Sequence, residues 1–406
     1  MRKRWLIGAS LVVLTACSGT DPGSGSPAPA PATSAPSSPA SNSPAPPTST
    51  AAAPRRSPTA PVLTPAQRVL ARLSLVQRVG QLFMVGTEAG ADAGTTSVIA
   101  SNHVGAVILM RSSSQGVAGI ASVTTALQAA ANGDSIRLFV ATDQEGGEVQ
   151  RMTGPGFSTI PSAIEQGSLD PATLQRSAAR WGAQLRAAGV NVDLAPVLDT
   201  VPSAAFAPAN PPIGALDREF GFDPQIVAAH GSAFAQGLAA AGVSATVKHF
   251  PGLGRVTGNT DTTAGVTDTE TTRNDPYLTP FTRAIRAGAP FVMMSTAVYS
   301  RIDPAGPAAF SSIIVTGLLR NTLGFRGVVI SDDVGAAAQV AAVPVAERAL
   351  RFIAAGGDIV LTVDATQIAE MAAAVIASAQ RDPAFRARVD AAALRVLTAK
   401  QAHGLL

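Results

Sequence analysis

Val243-Ser244-Ala245-Thr246-Val247-Lys248-His249 is a short, largely apolar run that ends on a lysine and a histidine. Taken over Val243–Lys248 it has the length and composition of a strand, and the chain repeats the pattern. Seven further runs, Gln81–Gly86, Val104–Met110, Arg137–Thr142, Val190–Ala195, Pro290–Ser295, Gly327–Ser331 and Asp358–Thr362, are strand candidates. Between them lie stretches rich in Ala, Leu, Gln and Arg with helical spacing, among them Pro171–Ala188, Pro224–Ala241 and Val343–Ala355. Strands that alternate with helices are expected to pair in parallel. Eight such units over roughly 340 residues fit an α/β fold, a single (β/α)8 TIM barrel with insertions. A doubly wound open sheet is the alternative, but no glycine-rich dinucleotide loop accompanies these strands.

A parallel barrel gathers its chemistry at the C-terminal ends of its strands. The polar residues of this chain fall there. Asp143 follows the third strand and Asp199 lies just beyond the fourth. Lys248-His249 end the fifth, Ser295-Thr296 the sixth, and Asp332-Asp333 follow the seventh. Packing alone has no use for acids and bases at one end of the strands; the plain alternative is a chance gathering of loop polars.

The ends of the chain bound its setting. Met1-Arg2-Lys3-Arg4 is a positive n-region, and the apolar run Trp5–Val13 is too short to span a bilayer, so residues 1–16 are expected to form a signal peptide. The run ends in Leu14-Thr15-Ala16-Cys17, and Cys17 is the sole cysteine. A lipidated Cys17 would anchor the protein to the membrane through its acyl chains; the alternative is a secretory signal with a chance cysteine. Residues 17–62 hold little besides Ser, Pro, Ala, Thr and Gly, which cannot bury enough apolar surface to fold and are expected to form a disordered, semi-stiff tether. The folded domain is then 63–406.

Loss of the leader takes the formal net charge from +3 to about zero, and no dense Lys/Arg stripe remains, so no nucleic-acid partner is expected. One cysteine excludes a disulfide framework within the chain. The four histidines, His103, His230, His249 and His403, lack ligand spacing, so no metal and no cofactor are expected. A monomer is expected.

From about Leu73 to the C-terminus the chain resembles family 3 of the glycoside hydrolases, most closely its β-N-acetylhexosaminidase (N-acetylglucosaminidase) branch. Six strings in order carry the likeness: Leu73-Ser74-Leu75 through Val79-Gly80-Gln81-Leu82-Phe83; Ala141-Thr142-Asp143-Gln144-Glu145-Gly146-Gly147; Val192-Asp193-Leu194-Ala195-Pro196-Val197-Leu198-Asp199; Arg218-Glu219-Phe220-Gly221; Lys248-His249-Phe250-Pro251-Gly252; and Gly327-Val328-Val329-Ile330-Ser331-Asp332-Asp333. The resemblance implies a retaining exo-β-N-acetylglucosaminidase acting on terminal N-acetylglucosamine of cell-wall-derived glycans or muropeptides; the leader, Cys17 and the tether place it, as an expectation, outside the cytoplasmic membrane and anchored there. It implies Asp332 as the nucleophile, with Asp333 a structural neighbour. Asp143, Arg151, Arg218, Lys248 and His249 are implied as sugar contacts. Such roles suit these residue types, because a carboxylate accepts from two hydroxyls while Arg, Lys and His donate to sugar oxygens.

One string departs from the branch. Its usual pattern is K-H-F-P-G-H-G, four residues, then D-[ST]-H, whose last histidine is the acid/base. Here Lys248-His249-Phe250-Pro251-Gly252-Leu253-Gly254 runs on through Asn259-Thr260-Asp261-Thr262-Thr263, and no histidine follows His249 until His403. Without a gap, Asp261 takes the histidine's place and Asn259 the aspartate's. With a two-residue insertion, Asp261 keeps the aspartate's place and Thr263 replaces the histidine. A buried aspartic acid can deliver a proton near neutral pH whereas a threonine cannot, so Asp261 is the expected acid/base. Thr296 and Glu148 are further departures, standing where the family often has histidine and arginine. A sugar-binding lipoprotein without catalysis is the alternative, and a family-3 β-glucosidase a more distant one.

Overall fold

The computed structural model describes residues 62–88, 90–131 and 136–406. The signal peptide over 1–16, Cys17 and the tether up to Pro61 lie outside the described residues. Eight parallel strands form one sheet: β1 (Phe83–Thr87), β2 (Ala106–Leu109), β3 (Phe139–Thr142), β4 (Val192–Asp193), β5 (Ser244–Phe250), β6 (Phe291–Met294), β7 (Val328–Ser331) and β8 (Val360–Thr362). Each pairs with its neighbour in sequence, and β1 also pairs with β8 through Phe83↔Val360, Met84↔Leu361 and Val85↔Thr362. The last seam, β7 to β8, is closed by the parallel bridge Ile330↔Ile359. The Ser331 N–H donates to the Ile359 carbonyl at 2.9 Å, and the Leu361 N–H to Ser331 Oγ at 2.9 Å. Closure leaves no sheet edge, and the sequence-based expectation of a (β/α)8 barrel holds.

The helices start where the chain supplies both a cap and a fixed φ. Asp170-Pro171, Asp223-Pro224 and Asp382-Pro383 open the helices Pro171–Ala187, Pro224–Ala240 and Pro383–Ala402. In each, the aspartate carboxylate accepts a first-turn N–H and proline holds the first helical position. The helix expected from Val343 begins at Val345 instead, because Pro344 disfavours helical backbone at the residue before it. Strand four is shorter than the expected Val190–Ala195. Beyond Asp193 the chain meets Pro196, which has no N–H for the ladder, although the Pro196 carbonyl still accepts from Lys248 N at 3.2 Å.

The strands are buried on both faces, which is why they are near-continuous apolar runs. At the N-terminal end of the barrel, Phe139 packs edge-on against Phe291 with centroids 5.3 Å apart. Asp358, fully buried, ties this end together. It accepts from Arg320 at 2.6 Å, Arg395 at 2.7 Å and the Val329 N–H at 2.8 Å. The same end of the barrel holds a less usual group. Lys400, from the C-terminal helix, is fully buried over the Phe139 ring and donates to Gln81 Oε1 at 2.7 Å.

Burial, with no carboxylate partner among the described residues, pushes the Lys400 ammonium down to about 7. The unfolded chain therefore binds one more proton than the folded one between that value and the ordinary lysine range. Over that window, stability contributed through this group rises with pH, and below it is flat. A Lys400→Met variant should gain stability relative to wild type near pH 7. The gain should shrink as pH approaches about 10, the unfolded lysine's range, when both are followed by urea denaturation. A difference independent of pH would show that the lysine stays charged in the fold.

Candidate active site

At the C-terminal ends of the strands the barrel opens into a cavity of about 410 Å³, whose lining includes Asp143, Arg151, Arg218, Lys248, His249, Asp261 and Asp332. The structure thus brings together the seven folded-domain residues expected to hold or transform the sugar, while Ser295, Thr296, Glu148 and Thr263 lie outside this lining. A second cavity of about 380 Å³ lies at the opposite ends of the strands, beside Ser244 and Pro290, and shares none of them.

Asp143 caps β3. The chain then folds into a hairpin, Gln144–Gly146 against Val149–Gln150, turned by Gly146 and Gly147 at φ of 108° and 54°. A Cβ on Gly146 would fall 2.2 Å from the Pro161 carbonyl, so this position admits only glycine. The hairpin delivers Glu145, to which the sequence reading assigned no part, against Arg218 and Lys248, two residues of the cavity lining. Arg218 grips it with two N–H groups, Nε to Oε2 at 2.8 Å and Nη2 to Oε1 at 2.7 Å. Lys248 Nζ bridges Glu145 Oε1 and Asp143 Oδ1, both at 2.6 Å.

Two cations and two carboxylates therefore balance at largely buried positions. The guanidinium and ammonium hold the Glu145 carboxyl well below the usual carboxylate range, outweighing the opposing effect of burial. The carboxylates raise Lys248 and Arg218 against the pull of burial. A third acid beneath them, Asp193, is pushed up to about 8, chiefly by burial, although its Oδ1 accepts the Gln144 N–H at 3.0 Å. Its Oδ2 has no hydrogen-bond partner among the described residues, and Lys248 opposes the rise without cancelling it. Arg218 also gives Nη1 to the Pro212 carbonyl at 2.6 Å, so much of its donor capacity is committed before any ligand arrives. Arg151 is the complement: its buried Nε has no partner among the described residues.

His249 is aimed by Asp199. The imidazole Nδ1 meets Asp199 Oδ2 at 2.7 Å, and Asp199 Oδ1 accepts the backbone N–H groups of His249 and Leu253 at 3.1 and 2.9 Å. With Nδ1 as the donor to this carboxylate, Nε2 is left for the cavity.

Two more acids complete the site. Asp332 follows β7, its N–H bonded to the Met294 carbonyl and its Oδ1 accepting from the Asp333 N–H at 2.8 Å. Burial pushes Asp332 up to about 6; His249 pulls it down and Asp261 adds to the rise. Asp333 spends its carboxylate on the N–H groups of Gly335, Ala336 and Val363, which makes it a turn-former beside Asp332. Asp261 sits on the loop after β5, open to the cavity. Loss of hydration raises its carboxyl, with His249 opposing and Asp333 adding. Asn259 and Thr260 line the cavity with it; Asp261 and Thr263 are both exposed, and Thr263 lies outside the lining. Of the two further departures, Glu148 is exposed on the hairpin turn, and Thr296 is buried with no partner for its hydroxyl among the described residues.

The charge balance makes one member indispensable. Glu145→Gln would strand two buried cations with a single carboxylate between them. It should cost roughly 3–5 kcal/mol of stability, the range for breaking a buried pair, measured by chemical denaturation near neutral pH. A loss under about 1 kcal/mol, the scale of a surface pair, would contradict this account of the network.

The comparisons with known proteins agree with this architecture. Residues 74–399 match the family described as glycosyl hydrolase family 3 N terminal domain. A β-hexosaminidase of Xanthomonas campestris pv. campestris (strain B100) is 37% identical over 288 residues, covering 67% of this chain and 81% of that one. Among solved structures, a β-N-acetylhexosaminidase from Beutenbergia cavernae DSM 12333 is 57% identical, covers 82% of this chain and 99% of that one, and superposes with a TM-score of 0.80. A family 3 β-N-acetylglucosaminidase from Paenibacillus sp. str. FPU-7 is 32% identical, with a TM-score of 0.75 over 82% of this chain and 63% of that one. A barrel of this form, with its acids and cations gathered at the strand ends, belongs to glycosyl hydrolase family 3, and the chain is a glycoside hydrolase.

Proposed function

We propose that the chain is a retaining exo-β-N-acetylglucosaminidase that removes terminal N-acetylglucosamine from cell-wall-derived glycans or muropeptides. The observation that carries the reading is one cavity that holds two carboxyls, the buried Asp332 and the loop-borne Asp261, together with the ion-paired Asp143, Arg218 and Lys248. The named activities of the relatives support the choice of sugar.

In this mechanism Asp332 attacks the anomeric carbon. The bond from that carbon to the leaving oxygen breaks, and Asp261 gives its proton to that oxygen. In the second half, Asp261 takes a proton from water, whose oxygen displaces Asp332 and restores the β-configuration. Asp143 accepts from sugar hydroxyls while Lys248, Arg218, Arg151 and the Nε2 of His249 address sugar oxygens. The cations of the network are already oriented by Glu145 and Asp143, so substrate binding has little side-chain order left to impose. The location belongs to the same proposal. The leader, Cys17 and the Pro/Ser/Ala/Thr-rich tether support a lipid-anchored enzyme outside the cytoplasmic membrane. A second reading, a sugar-binding lipoprotein without turnover, is favoured by one observation, the absence of a histidine between His249 and His403.

An aryl N-acetyl-β-glucosaminide should be hydrolysed by the wild type, and Asp332→Ala should lower the rate by roughly a thousandfold or more. Equal rates in the two, or none in either, would sink the enzymatic reading; tight binding of a muropeptide without hydrolysis would establish the second.

Activity on an unactivated disaccharide should follow a bell in pH. At low pH both carboxyls are protonated and the nucleophile is lost; at high pH both are ionised and the acid is lost. Asp261→Asn should slow the disaccharide far more than the aryl substrate and abolish the alkaline limb. Unchanged disaccharide turnover in that variant would remove Asp261 from the mechanism.

A further inference from the structure

The loop that carries Asp261 leaves β5 at Phe250 and re-enters regular structure at Thr267. Its first half is held from one side by Asn210, whose side-chain amide donates to the carbonyls of Leu253 and Val256 at 2.8 and 2.7 Å. Its second half, which bears Asp261, is held from another side, by the segment that follows Asp332 and Asp333.

Four hydrogen bonds make that second attachment. The Ala338 N–H donates to the Asp261 carbonyl and the Gln339 N–H to the Thr260 carbonyl, each at 3.0 Å. The Gln339 side chain then pairs with both polar groups of the Val266 backbone. Its Oε1 accepts the Val266 N–H at 2.8 Å, and its Nε2 donates to the Val266 carbonyl at 3.1 Å. A carboxamide offers an acceptor and donors on one plane, so it can stand in for a neighbouring strand, and few other side chains can. Val266 itself is buried, so the latch closes on a packed point.

The latch is tied in turn to the nucleophile's own turn. Asp333 accepts from Gly335 and Ala336. Arg348, buried behind them, donates Nη1 to the carbonyls of Val334 and Gly335 at 2.7 and 2.8 Å and Nε to the Val343 carbonyl at 2.8 Å. An unbroken line of hydrogen bonds and short backbone turns therefore runs from the residue next to Asp332, through Gly335 and Gln339, to the residues on either side of Asp261.

We infer that Gln339 is a positioning residue that latches the loop bearing Asp261 onto the segment following Asp332, so that acid and nucleophile stand preset across the cavity before substrate arrives. The inference rests on the proposed role of Asp261. Gln339 touches no reacting atom; it fixes where the proton donor sits. Its removal should therefore be felt where proton delivery limits the rate and spared where the leaving group departs unaided.

The test uses the folded enzyme, two substrates and hydrogen exchange. In Gln339→Ala the loss of two hydrogen bonds, each of modest net worth, should shift the loop toward open forms by roughly tenfold or more. Amide exchange in the 257–266 peptide should accelerate accordingly. Turnover of a disaccharide of N-acetylglucosamine should fall roughly tenfold, while the aryl substrate's kcat should stay within about threefold. Gln339→Glu keeps the acceptor for the Val266 N–H and should fall between the two, which covers the case in which the alanine variant does not fold. Exchange as slow as wild type, or equal losses on both substrates, would overturn the latch. Faster exchange in Gln339→Ala, with disaccharide turnover intact in Asp261→Asn, would leave the latch standing and overturn the acid assignment instead.

Discussion

The site depends on the closing of one seam. Ser331 and Leu361 join β7 to β8, and Asp358, buried beneath them with Arg320 and Arg395, ties the same seam at its other end. Until that seam closes, Asp332 and Asp333 lie on an edge strand, far from β3 and Asp143. Once it closes, the C-terminal ends of all eight strands share one rim, and residues distant in sequence become neighbours. The barrel is the means by which a chain with few charged residues assembles several of them around one cavity.

That assembly has an electrostatic condition. Charges taken out of water must be paired or neutralised. Glu145, Asp143, Arg218 and Lys248 meet the condition by balance, and Asp193 meets it by remaining protonated. The two acids assigned to chemistry are treated differently. Asp332 and Asp261 have no ion-pair partner within contact distance among the described residues; burial lifts Asp332 to about 6, and Asp261 is raised above the ordinary aspartate value. Wall charges are held fixed and cavity charges are left adjustable, which is the division of labour that general acid and nucleophilic catalysis require.

Much of this was legible beforehand. The strands could be read because a strand buried on both faces must be an apolar run, and because each run stops at a polar residue. The helix starts were written in Asp-Pro pairs. Other features depend on contacts between distant parts of the chain and left no local mark. Glu145 stands in a string quoted for its neighbour, but its importance comes from Arg218 and Lys248, which no spacing rule links to it. The choice between Asp261 and Thr263 turned on a two-residue gap that sequence alone leaves open. In the fold Asn259 and Asp261 line the cavity and Thr263 does not, which supports the gapless placement. Gln339 looks like an ordinary surface glutamine until the loop it grips is in view. Lys400, one cation in a helix with others, gave no sign that it would be buried without a counter-charge.

The central claim is that the carboxylate at the end of β7 is the group that bonds to the sugar. It is tested most directly by covalent trapping. A fluorinated N-acetylglucosaminyl fluoride that slows the second half of the reaction should accumulate on the enzyme, and peptide mass spectrometry should find the added sugar mass on Asp332. The same mass on Asp261, Asp143 or Glu145, or turnover with no covalent adduct under conditions that stall hydrolysis, would contradict the account.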